Sequence, residues 1–101
     1  MTLTIKFKNR VTANESMDII DDCKKTIKEY GLSYKSSAFA NNQIVIVIGE
    51  DDSDTVGSCI VELTKMLTTR YHNKNASIYA KHDIEIKDIE KGMLKMKESL
   101  F

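Results

Sequence analysis

Apolar and polar side chains alternate from the second residue onward: Leu3, Ile5 and Phe7 face one way, and Thr4, Lys6 and Lys8 the other. A period of two over Thr2–Lys8 predicts a strand with one buried face. The pattern then changes. Met17, Ile20, Cys23 or Lys24, Ile27 and Tyr30 recur every three or four residues, the spacing of one buried helix face. Thr12-Ala13-Asn14-Glu15 before that stripe has the form of a capping box, and Gly31 after it suits a left-handed cap with Leu32 against Ile27.

The next stretch predicts a hairpin. Leu32–Ala40 is poor in apolar bulk, as an edge strand would be, and Asn41-Asn42 is a workable two-residue turn because asparagine tolerates positive φ. Gln43–Ile48, within the stretch QIVIVIGE, forms the other arm. Five consecutive apolar residues predict a central strand with both faces covered: Ile44, Ile46 and Ile48 on one side, Val45 and Val47 on the other.

A second helix is predicted over Asp54–Tyr71, with Val56, Cys59, Ile60, Leu63, Leu67 and Tyr71 buried and His72-Asn73-Lys74-Asn75 ending it. A strand follows over about Ser77–Ile86. The tail from Lys87 reads as a third helix, with Ile89, Met93, Met96 and Leu100 spaced 4, 3 and 4 and Phe101 beside them. Gly92 weakens that helix. The element order predicts an α+β fold: a ferredoxin-like β-α-β-β-α-β sandwich with an antiparallel four-stranded sheet, its first and third strands central, and an extra C-terminal helix. At 101 residues the chain forms one domain, residues 1–101, with a single core.

Composition narrows the function more than the fold. Lys plus Arg equals Asp plus Glu, 15 each, so no global field draws nucleic acid or an anionic membrane. The N-terminus, MTLTIKFKNR, has neither the charge pattern nor the apolar run of a signal peptide or membrane span, which points to the cytoplasm. Cys23 and Cys59 lie 36 residues apart and read as reduced core thiols.

The GEDDSD run invites a metal or phosphate reading and satisfies neither. Its carboxylates repel an anion. As a calcium loop from Asp52 it reaches Asp54, then meets Val56 where a ligand is needed, and Glu62 falls one short of the twelfth position. His72 and His82 have no partner at ligand or triad spacing. Asp83, Glu85, Asp88 and Glu90 alternate with apolar residues as a solvated face. No catalytic constellation and no cofactor or metal site is expected.

Two binding classes remain. The first is a small cytosolic protein-interaction or regulatory domain: a homodimer, or an inhibitor or adaptor of a larger complex such as a phage or mobile-element accessory protein. Its candidate surface is Val45 and Val47 with the tail residues Ile89, Met93, Met96, Leu100 and Phe101. The methionine-rich seam adapts to partners, or folds back over its own sheet. The second class is a nucleic-acid-binding regulator using a local basic face: Lys6, Lys8, Arg10, Arg70 and Lys74, with Lys35, His72 or Lys81 near Tyr34, Phe39 or Tyr79. The stacking aromatics that an RNA-recognition motif carries on its central strands are missing from QIVIVIGE.

Overall fold

A computed structural model describes residues 1–49 and 53–81. The elements are β1 (Thr2–Phe7), α1 (Ala13–Glu29), β2 (Tyr34–Ala40), β3 (Gln43–Ile48), α2 (Ser53–Arg70), a 3₁₀ turn (His72–Lys74) and β4 (Ala76–Lys81). The tail helix expected from Lys87, residues 82–86 of the last strand, His82, and Glu50, Asp51 and Asp52 of the acidic run all lie outside the described residues.

The four strands form one sheet in the order β2-β3-β1-β4, with every neighbouring pair antiparallel. β1 and β3 are therefore the two central strands, as their apolar content predicts. The fold is α+β, and both helices pack on one side of the sheet. Their stripes share a core with Leu3, Ile5, Phe7, Ile44, Ile46 and Ile48, all buried.

Both ends of α1 follow from local chemistry. The Glu15 N–H donates to the Thr12 hydroxyl at 3.2 Å, and the Thr12 N–H donates to the Glu15 carboxylate at 3.0 Å. These bonds satisfy two of the donors that a helix start leaves orphaned. At the other end Gly31 takes φ +73°, its N–H donates to the Lys28 carbonyl, and the Leu32 N–H donates to the Ile27 carbonyl. That pair of bonds is the Schellman motif. It also moves the start of β2 from the expected Leu32 to Tyr34, because the Leu32 N–H already closes the helix.

The buried face of α1 differs from the expected one. It runs through Ser16, Ile19, Cys23 and Ile27, while Met17 is 63% exposed and Ile20 only half-buried. One position turns a helix by about 100°, so choosing Met17 over Ser16 misplaces the first turn of the stripe. Ser16 is tolerated inside because its hydroxyl donates to the Ala13 carbonyl at 2.6 Å, leaving no orphaned donor. On α2, Val56, Cys59, Leu63 and Leu67 are buried as expected, while Ile60 and, one residue past the helix end, Tyr71 are only partly buried.

The hairpin turn at Asn41-Asn42 has positive φ at both residues, 53° and 58°, as a two-residue turn matched to strand twist requires. β1 stops at Phe7, one residue earlier than expected. The Lys8 and Asn9 N–H groups turn away to the carbonyls of Asn75 and Lys74.

Candidate functional site

The sheet face away from the helices carries no helix among the described residues. Strand registers line it up in three rows across β2, β3, β1 and β4. The rows are Ser36–Val47–Thr2–Lys81, Ala38–Val45–Thr4–Tyr79 and Ala40–Gln43–Lys6–Ser77. None of these twelve side chains is buried, although six stand on the two central strands. Val45 and Val47 lie side by side in the middle, and Tyr79 is 55% exposed at the β4 edge.

The charge on this face is one-sided. No Asp or Glu occurs in any of the four strands, and every carboxylate among the described residues sits on α1 or α2. The face itself carries Lys6 and Lys81. Lys6 holds its ammonium 5.2 Å from the Tyr79 ring centre, within cation–π range. Among the described residues, then, the helical layer holds every carboxylate and the sheet none.

The two expected sets of site residues are treated differently by this geometry. Val45 and Val47 are brought together, while Ile89, Met93, Met96, Leu100 and Phe101 lie outside the described residues. The basic set is divided. Lys6 is on the sheet face. Arg70 is on α2, 3.2 Å from the Asp22 carboxylate of α1. Lys74 sits in the 3₁₀ turn, 2.7 Å from Glu15, and its ammonium donates to the Arg10 carbonyl at 3.0 Å. Lys8 and Arg10 are exposed on the loop before α1. Of the aromatic candidates only Tyr79 is on the open face. Phe39 and Tyr34 pack against the core from the other side, where Tyr34 lies under the Lys24 ammonium at 4.8 Å.

Lys74 is thus a structural lysine, and no spacing in the sequence announces that role. Its hydrogen bond is the largest of the interactions that hold the Glu15 carboxyl down at about 2 from its ordinary 4.5, followed by the Thr12 backbone. A depressed carboxyl contributes stability above its ordinary value and loses it as pH falls through the depressed one. Lys74→Met is therefore expected to lower the urea midpoint at pH 7. Its deficit against the parent should shrink as pH falls from about 4.5 towards about 2. An unchanged deficit across that range, in urea melts at several pH values, would refute this role for the pair.

Three further groups, Cys23, Cys59 and Tyr71, are shifted upward. Burial pushes the Cys23 thiol up to about 12 and the Cys59 thiol up to about 11, so neither supplies a thiolate near neutrality. Desolvation, then its hydrogen bond to Asp22, raises the Tyr71 phenol. A groove of about 330 Å³ between the helices is lined by Asp22, Lys25, Glu29, Glu62, Lys65 and Arg70, with charges of both signs and no convergent set. Among the described residues no three His, Cys, Asp or Glu side chains are placed to hold a metal ion. Among them, too, no helix is long and apolar enough to cross a membrane.

The chain matches no protein-family model, and no curated protein is similar to it.

Proposed function

We propose that this chain is a small non-enzymatic interaction and regulatory domain whose working surface is the open sheet face, and which takes one protein segment at a time. One observation carries the reading: three rows of unburied side chains with two central valines and, among the described residues, no carboxylate. Half-buried valines on central strands leave apolar area in water, and covering it is favourable by roughly 25 cal/mol per Å². The lysines add attraction for an acidic partner. Read from its other edge, the strand order is β4-β1-β3-β2. We take it as the split-βαβ, ferredoxin-like arrangement, with a third helix at the C-terminus completing the sandwich.

The test is selection of peptide ligands on the full chain. Acidic amphipathic sequences are expected. Val47→Asp and Lys6→Glu, checked for folding by circular dichroism, should each weaken their binding at least tenfold. Val61→Ser, which changes an exposed apolar residue of α2, should leave it unchanged. Ligands insensitive to both face substitutions would overturn the reading.

A second reading has one specific observation in its favour: the Lys6–Tyr79 pair on a surface free of carboxylates suits a stacked base beside a phosphate. It predicts salt-dependent oligonucleotide binding that Tyr79→Ala abolishes. No binding at 50 mM salt would exclude it.

A further inference from the structure

The two edges of the sheet are built differently. β2 carries a register shift between Tyr34 and Ser36, with Lys35 inside it. A bulge and a lysine are common devices that stop an edge strand from pairing further. β4 has no such break: Ala76–Lys81 pairs with β1 residue for residue, and its one charge is the last residue.

Which backbone groups β4 turns outward follows from the ladder. The Lys8 N–H donates to the Asn75 carbonyl, and hydrogen-bonded pairs alternate along an antiparallel ladder. Ser77, Tyr79 and Lys81 therefore bond to β1, while Ala76, Ile78 and Ala80 aim their N–H and C=O groups away from the sheet. Among the described residues nothing meets these six groups. The set is symmetric about Ile78. A second β4 laid antiparallel sets Ile78 against its counterpart and each Ala76 against an Ala80, so every outward group of both copies is paired. Tyr79 then stands opposite Ser77, and Lys81 opposite the uncharged Asn75.

The helix above this edge is complementary to itself in the same way. α2 packs over β4, and α1 over β2. The buried stripe of α2 is Val56, Cys59, Leu63 and Leu67, and Glu62, Lys65 and Arg70 line the groove towards α1. At about 100° per residue, the side turned away from α1 holds Gly57, Ile60, Thr64 and Thr68, with Val61 at its outer margin. None of these is charged. Thr68 lines a small hollow with His72, Asn75 and Ala76, which places this side at the start of β4. The Thr64 and Thr68 hydroxyls donate to the Ile60 and Thr64 carbonyls, each at 2.8 Å, so covering them orphans no donor. A Cβ at Gly57 would meet no atom within 4 Å, which leaves room for a second backbone. Four strands take about 19 Å of sheet per chain and two helices cover it, so edge pairing sets the two α2 helices about 10 Å apart, at packing distance.

We propose that a second copy of this chain binds along the β4 edge, giving one eight-stranded sheet with four helices on one side. The contact strip is about 20 Å long and two layers, about 20 Å, deep. That is roughly 400 Å² of flat area from each chain, the low end for a dimer, so dissociation on dilution through the micromolar range is expected. The dimer would present two open faces side by side. That it then holds two partner segments rests on the functional reading above; the dimer does not.

The test is sedimentation velocity of the full chain from about 5 µM to about 1 mM. Ala80→Pro removes an outward N–H that β1 does not use, a position where an edge strand tolerates proline. It should keep the circular dichroism of the parent and weaken self-association about tenfold. From Ala76 to Ile78 is about 7 Å, four or five helical residues back from Thr68, so Thr64 lies beside the twofold axis. Thr64→Lys and Thr64→Glu should each weaken the dimer about tenfold, and mixing the two variants should restore it. That charge exchange decides the matter even if the proline variant fails to fold. A chain still monomeric at about 1 mM overturns the proposal, whatever else lies along the edge. So does a dimer that survives a folded Ala80→Pro, or a Thr64 mixture that associates no better than either variant alone.

Discussion

Replacing Ile46 by alanine is expected to cost about 3 kcal/mol of stability, while Val47→Ala, one residue along, costs about 1 kcal/mol or less. Ile46 is fully buried in the middle of β3, paired with Leu3 on β1 and Ser37 on β2, on the face that both helices cover. Removing its three outer carbons leaves a cavity that a close-packed sheet cannot collapse to fill. Val47 points the other way, between Ser36 and Thr2 on the open face, and truncation there opens no cavity. Polar substitutions sharpen the contrast. Ile46→Asp should leave no cooperative unfolding transition, because an unpaired carboxylate cannot be buried there. Val47→Asp should still fold. Urea melts of the full chain decide the matter: equal costs for the two alanines would mean that the sheet is covered alike on both sides.

The sorting of QIVIVI onto two faces was legible, because a period of two divides its residues whatever the topology. The contrast in burial was not, since five apolar residues in a row predict cover on both faces, whereas Val45 and Val47 are only half-buried among the described residues. The boundaries of α1 were legible too, written locally as a capping box and a Gly31 cap. What the pattern could not give was rotation and register. Ser16 and Met17 differ by a third of a turn, and hydrophobicity alone favours the wrong one; the small serine faces inward because its hydroxyl is satisfied within its own turn. The absence of carboxylates from the open face, among the described residues, is a property of four strands together, visible once Thr4 is known to lie between Val45 and Tyr79. The basic set failed to converge for a related reason. Lys6, Arg70 and Lys74 read alike in sequence, yet two of them are spent on Asp22 and Glu15.

The residue that sequence reasoning most undervalued is Asn42, and its substitution carries the second large expected effect. As a turn former Asn42 needs only positive φ, a requirement that glycine meets as well. In the folded chain its amide does more. The side-chain oxygen accepts from the Val11 N–H at 2.8 Å, and the side-chain nitrogen donates to the carbonyls of Phe7 and Asn9, each at 2.9 Å. Three backbone groups of the β1–α1 loop are thus held by one side chain more than thirty residues away. Asn42→Gly keeps the backbone geometry and loses those bonds, an expected cost of about 2 kcal/mol at roughly 1 kcal/mol per net hydrogen bond, less what water recovers. Asn42→Ala adds left-handed strain, for about 3 kcal/mol. Asn42→Asp keeps the acceptor for Val11 but sets a carboxylate against two carbonyl oxygens, so it should be no better than glycine. Asn41→Gly, in the same turn, should be nearly neutral. Urea midpoints should therefore fall in the order parent and Asn41→Gly, then Asn42→Gly, then Asn42→Ala. Amide exchange at Val11 should accelerate in every Asn42 variant and in no Asn41 variant. If Asn42→Gly were as stable as the parent, the turn conformation would be the whole of its role, and the loop would be held by other contacts.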